Sequence, residues 1–144
     1  MAKTLPAEDY KKILQVMPIL TVDGLVYHKG KILLLKRKNK PLKGKYWTPG
    51  GRVYKGETLK EAFIRKMQEE TGIKVRVLSV IGYYEDFYED NHWGIPTVHT
   101  VSVVFLATAD TDKVKLDSQS SVYKWVTKIP DRLKILVPLQ HIGG

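Results

Sequence analysis

The hydrophobic residues of the chain change period along its length. Tyr10, Ile13, Leu14 and Met17 fall at helical spacing, which predicts a helix over Ala7–Met17 that Pro18 closes. Ile19 to Tyr27 is apolar and β-branched, and Ile32-Leu33-Leu34-Leu35 repeats that character after Lys29-Gly30, so the two runs read as a hairpin. Asn39 to Lys45, with Pro41 and Gly44, is a loop, and Tyr46-Trp47-Thr48 leads into a Pro49-Gly50-Gly51 turn. Helical spacing returns at Leu59, Phe63 and Met67, an apolar stripe at i, i+4 and i+8. Thr58 and Glu61 form a capping-box pattern before it, and Gly72 suits the left-handed position that ends a helix.

Period two then takes over. Lys74 to Tyr88 reads as a long strand to which Val75, Val77, Val80 and Ile81 contribute, and Glu85 to Gly94 is acidic, aromatic and turn-rich, in the manner of a substrate-facing loop. Thr97 to Thr108 is the clearest strand. Asp110 to Ser121 is polar, Val122 to Thr127 is a strand containing Trp125, and Pro130 to Leu136 is a helix that Pro138 must end. Strands around one central helix, with a helix near each end, predict one α/β layered domain over residues 1–144 with a mixed sheet between helices.

Composition narrows the classes. Hydrophobic residues at 43% and charged residues at 27% exclude wholesale disorder. With no cysteine there is no disulfide frame, thiolate metal site or cysteine nucleophile, which fits a cytoplasmic protein. The first residues lack a signal-peptide core and no apolar run approaches bilayer length, so no membrane partner is expected. The net charge of +9 is concentrated: Gly24 to Gly56 carries ten Lys and Arg residues and no acid. Such a field favours an anionic partner. Without a recognition helix, zinc finger or aromatic RNA-binding signature, a small phosphorylated substrate is preferred to nucleic acid.

The candidate chemistry lies in Gly50 to Ile73. Lys66, Glu69 and Glu70 are neighbours at i, i+3 and i+4 on the polar side of the helix. The two carboxylates repel each other, and a hard cation held by one or two carboxylates, waters and substrate phosphates would relieve that repulsion. A solvated acidic face is the bland reading of any Glu-Glu pair. Here the pair follows a glycine turn that lets backbone approach a ligand, and Glu57 and Arg65 stand at fixed spacing between.

The spacing of Gly51, Glu57, Arg65, Glu69, Glu70 and Gly72 resembles the Nudix box, here residues 51–73, with Lys66 where the pattern has a glutamate. The resemblance implies the Nudix fold, an α/β/α sandwich with a central mixed β-sheet, and a Mg²⁺-dependent hydrolase, with Mn²⁺ as a substitute. It implies catalytic roles for Glu57, Arg65, Glu69 and Glu70, with Glu57 and Arg65 pairing across loop and helix. Lys66 is expected to pair with Glu69 or Glu70 and to take the room of one metal ion.

Outside the box the chain is similar to the GDP-mannose mannosyl hydrolase branch. The resembling residues are Asp23, Lys36-Arg37-Lys38-Asn39, Pro41, Gly44, Tyr46-Trp47, Pro49 to Val53, Phe87 to Asn91, His99, Gln119 and Tyr123-Lys124-Trp125. By that match Asp23, Arg37, Arg52 and Tyr88 contact substrate, Gly51 (or Gly50), Glu69, Glu70 and Gln119 hold metal, and the protein is a homodimer. The branch has a histidine base directly after the metal-binding Gln, where this chain has Ser120. A serine hydroxyl cannot take a proton near neutral pH. Water attack at phosphorus of a nucleotide sugar is therefore preferred to attack at the anomeric carbon, with a nucleotide-binding domain that has lost chemistry as the third reading. His92 and His99 are candidates for a displaced base, His99 more as a packing residue. Trp47 and Trp125 read as core aromatics, and Tyr88 and Trp93 as contacts to a base or sugar.

Overall fold

The computed structural model describes residues 5–40, 42–116 and 120–133. In chain order the elements are α1 (Ala7–Val16), β1 (Ile19–His28), β2 (Lys31–Arg37), β3 (Tyr46–Trp47), β4 (Gly50–Arg52), α2 (Leu59–Thr71), β5 (Val75–Tyr88), β6 (Val98–Ala109), β7 (Ser120–Val126) and a 3₁₀ turn over Asp131–Leu133. The strands form one sheet in the order β3-β2-β1-β6-β5, with β4 beside β1 and β7 beside β2. β1 and β6 are parallel, and the other pairs are antiparallel, which makes the sheet mixed.

β1 organises the sheet. Along one edge it pairs with β6 from Ile19 to Tyr27. Its other edge is shared: β4 takes Thr21 to Asp23, and β2 takes Tyr27 and His28 across the Lys29-Gly30 turn. Both turn residues have positive φ, 50° and 78°, the backbone that twists a two-residue hairpin correctly. A cavity lies over this part of the sheet, lined by residues of α1, β1, β2, β4, β5 and β6.

α2 covers one face. It buries Ala62, Phe63 and Met67 against Val22, Val26, Leu33 and Ala107, with Phe63 stacked on Phe105 at 5.3 Å between ring centroids. Burial of an apolar side chain of this size stabilises by about 1.5–3 kcal/mol. The opposite face packs Leu25, Ile32, Ile81 and Val104 on Leu133, and α1 closes a third cluster through Leu14, Ile95 and Val98. Both halves of the capping box form: Glu61 N–H donates to Thr58 Oγ1 at 3.1 Å, and Thr58 N–H donates to Glu61 Oε1 at 2.9 Å. Gly72 ends the helix at φ 70°. Thr58→Ala is expected to cost about 1 kcal/mol, read as a lower urea midpoint at unchanged slope.

Several expectations need correction. Met17 lies beyond α1 and is 57% exposed, because only the Tyr10 and Leu14 side of the helix meets the sheet. β5 has register shifts between Val77 and Ser79 and between Val80 and Gly82, and Ile81 packs with Leu25 and Val104 on the face opposite Val75 and Val77 instead of continuing their row. Glu85 to Tyr88 remain in β5, paired with Val98 to Val101 of β6, and the loop starts at Glu89. The predicted terminal helix is a 3₁₀ turn over Asp131–Leu133, and its remainder lies outside the described residues. Among the described residues no helix is long and apolar enough to cross a membrane.

Candidate active site

β4 is held between β1 and α2 by close backbone approach. Gly50 N–H donates to Glu70 Oε1 at 2.9 Å. A Cβ at Gly50 would overlap the Val22 carbonyl oxygen and the Asp23 carboxylate, so no other residue fits without moving β1. Glu70 is buried near the end of α2 and turned toward Gly50.

Arg65 fastens the following loop to the same helix. Its Nε donates to Glu57 Oε2 at 2.6 Å and its Nη2 to Glu57 Oε1 at 2.9 Å, a bidentate pair of the strong, geometrically specific kind. Nη2 also donates to the Arg52 carbonyl at 2.9 Å, and Nη1 to Glu69 Oε1 at 3.0 Å. Glu57 Oε1 accepts from Tyr54 N–H at 2.8 Å. The Arg65 hydrogen bonds, with that from Tyr54, hold the Glu57 carboxyl below its ordinary range against a desolvation that pushes it up, and Glu57 in turn raises the Arg65 guanidinium. Tyr54 lies under Arg65 at 4.0 Å, and Arg52 lies over the Tyr10 ring at 4.1 Å, so aromatic faces carry the cations from α2 out to α1.

Lys66 pairs with Glu69, Nζ to Oε1 at 3.5 Å. Glu69 and Glu70 thus have different environments. The Glu69 side chain is 47% exposed and faces two cations, whereas Glu70 is buried and accepts the Gly50 N–H.

In front of Glu70 lies a cavity of about 280 Å³. Its floor is Thr21, Asp23, Gly50, Gly51 and Glu70, its aromatic wall includes Tyr10, Trp47, Tyr88 and Trp93, and Arg37, Lys40 and Arg52 supply positive charge. Asp23 accepts a hydrogen bond from the Tyr84 hydroxyl, which also receives Trp47 Nε1–H at 3.3 Å. Burial, with the Asp23 charge beside it, raises the Tyr84 hydroxyl well above its usual range and pushes Tyr88 up to about 12, so both remain protonated donors at neutral pH. The Tyr88 hydroxyl donates to Asp86 at 2.7 Å.

The structure therefore brings Asp23, Arg37, Arg52, Tyr88, Gly51 and Glu70 to one cavity, while Glu57, Arg65 and Glu69 do not line it and brace it from behind. Gln119 lies outside the described residues. Trp47 packs on the core as expected and also lines the cavity; Trp125 packs at the core edge, with Nε1 donating to the Asp112 carbonyl at 2.9 Å. His92 lines the cavity. His99 does not, and stacks on Phe87 at 4.3 Å. Tyr10, Lys40, Thr48 and Asn91 also line the cavity, and none of them was assigned a site role from the sequence.

Comparison with known proteins decides the family. The family model described as NUDIX domain matches residues 17–129. The chain belongs to the Nudix family of hydrolases. It is 36% identical over 121 residues to the low-salt glycan biosynthesis protein Agl8 of Haloferax volcanii, covering 83% of this chain and 78% of that protein. It is 42% identical over 105 residues to an ADP-ribose pyrophosphatase of Methanocaldococcus jannaschii, covering 72% of this chain and 59% of that protein. The crystal structure of a MutT protein from Methanosarcina mazei Go1 superposes with a TM-score of 0.69 at 26% identity, over 88% of this chain and 96% of that one. The mixed sheet flanked by helices is the Nudix fold.

Proposed function

We propose that this Nudix domain is a Mg²⁺-dependent hydrolase of nucleoside diphosphate-linked substrates, of the nucleotide sugar or ADP-ribose class, in which water attacks phosphorus. The observation that carries the reading is one cavity with an aromatic wall, three cationic side chains and a buried carboxylate beside two glycines. A base or sugar fits the aromatic wall of Trp47, Tyr88 and Trp93, and the diphosphate fits the cations Arg37, Lys40 and Arg52. The relative named ADP-ribose pyrophosphatase and the relative in glycan biosynthesis both fit this class.

The donor set suits a hard divalent ion. Glu70 is a buried oxygen donor packed on Gly50, and no cluster of three or more His, Cys, Asp or Glu is present among the described residues. Mg²⁺ commonly takes one or two carboxylates and completes its shell with water and substrate phosphate. Glu70 with a carbonyl of Gly50 or Gly51 would hold it, and Gln119 is the further candidate. The chemistry supplied by the bound ion is neutralisation of the diphosphate and a lowered pKa for water. The chain itself orients the substrate on its aromatic wall, attracts the phosphates, and holds β4 on α2 through Glu57 and Arg65. Residues 1–144 act as one domain, in the cytoplasm and as a homodimer, as in the branch that the sequence resembles.

A second reading rests on His92. It is the one histidine lining the cavity among the described residues, and it could serve as the displaced base that attack at the anomeric carbon of GDP-mannose needs. Incubation with Mg²⁺ and GDP-mannose, ADP-ribose or nucleoside triphosphates in ¹⁸O-labelled water separates the two. Label in a nucleoside monophosphate or a phosphorylated sugar is expected. Label in free mannose beside unlabelled GDP would overturn attack at phosphorus, and binding of nucleotide without turnover would make this a sensing domain.

A further inference from the structure

We propose that Lys66 is a fixed cation that limits the metal centre to a single divalent ion, by withdrawing Glu69 from the donor set and filling the space beside Gly51. The inference rests on the metal-dependent reading above and concerns a residue at which this chain departs from the box pattern. Three observations carry it.

The first is position. The Lys66 side chain is only 19% exposed and lies along Gly51: a Cβ on that glycine would meet Cε, and would come within 2.9 Å of Cδ and 3.1 Å of Nζ. The ammonium is thus packed against the backbone that also lines the cavity floor. The second is pairing. Glu69 Oε1 receives Arg65 Nη1 at 3.0 Å and faces Lys66 Nζ at 3.5 Å, so one carboxylate oxygen already answers two positive charges. Recruiting Glu69 to a metal ion would strip both cations of that partner. The third is division of labour. Glu70 lines the cavity and Glu69 does not, although they are adjacent in sequence. A second ion on the α2 side would therefore need Glu69, which two cations engage, and would have to approach an ammonium that repels it; Asp23, the other carboxylate of the cavity, is engaged by the Tyr84 hydroxyl. A glutamate at 66 reverses both conditions, since it adds oxygen donors beside Gly51 and removes the repulsion.

The test is the Mn²⁺ stoichiometry of the intact chain, read by electron paramagnetic resonance without nucleotide. One ion per chain is expected for the natural protein and two for Lys66→Glu. Lys66→Met, which adds no donor, should still bind one ion, about tenfold more tightly, the scale of removing one neighbouring like charge. Zero or two ions in the natural protein, one ion in a folded Lys66→Glu, or unchanged affinity in Lys66→Met would each overturn the proposal. Hydrolysis is assayed separately on the same preparations. Stoichiometries of one and two without turnover of any nucleotide would leave the role of Lys66 standing and remove the hydrolase reading.

Discussion

Glu70→Gln is expected to lower kcat by about 10³-fold while leaving the unfolding midpoint nearly unchanged, because charge stabilisation by a bound metal is worth several kcal/mol and each 1.36 kcal/mol is tenfold in rate. The substitution separates charge from shape. Glutamine keeps the volume of a buried side chain packed beneath β4, and its amide oxygen can still accept the Gly50 N–H that Glu70 Oε1 accepts at 2.9 Å. What it loses is the negative charge at the cavity floor. Glu69→Gln provides the contrast: that side chain is 47% exposed, lies off the cavity and is engaged by Arg65 and Lys66, so its effect on kcat should be far smaller. Steady-state rates with saturating Mg²⁺, beside urea unfolding of each variant, make the comparison. Equal losses at the two positions would place the metal between them, against the asymmetry of their environments.

That asymmetry shows where sequence stops. The spacing of Glu57, Arg65, Glu69 and Glu70 is local to one loop and one helix, so helical geometry alone places the groups within reach of each other; the Glu57–Arg65 pair and the capping box follow directly from it. Which carboxylate faces the cavity is not local. It depends on β4 docking against β1, which a Cβ at Gly50 would forbid. The aromatic wall is further still from the box. Tyr10 reaches the site because α1 packs through Leu14 on Val98, and Trp93 because it meets Tyr10 edge-on at 5.1 Å. In sequence both are ordinary amphipathic or loop aromatics. The run of Lys and Arg before the box was legible as a field but not as a site: Arg37, Lys40 and Arg52 line the cavity, Arg37 and Arg52 from β2 and β4 and Lys40 from the loop after β2. In β5 the failure is one of period, since two register shifts put residues on faces that simple alternation would not assign.

Arg65→Met should cost about 3 kcal/mol at neutral pH, toward the lower end for breaking a buried charge pair because these side chains keep some solvent contact. The side chains of Arg65 and Glu57 are 23% and 18% exposed. Methionine retains the aliphatic reach across Tyr54 but leaves Glu57 without its bidentate partner, the Arg52 carbonyl without a donor and Glu69 without its shorter ion pair. The loss should also depend on pH with a definite sign. Glu57 titrates below its ordinary 4.5 in the folded chain, chiefly through the Arg65 hydrogen bonds. A depressed folded-state pKa contributes stability that is complete above the unfolded value and disappears as pH falls through the folded one. The gap between the natural protein and Arg65→Met should therefore be widest at about pH 7 and narrow by about pH 3, read as the difference in urea midpoints at each pH. A gap of equal size at both would mean that Arg65 holds the loop through the Arg52 carbonyl and the Tyr54 ring alone. Because Arg65 also holds the Arg52 carbonyl at the end of β4, the strand that brings Gly51 and Arg52 to the cavity, the loss of this anchor should lower kcat as well, even under conditions where the variant is fully folded. A fully folded variant with undiminished kcat would confine Arg65 to stability and separate the box helix into a part that holds the loop and a part that serves the reaction.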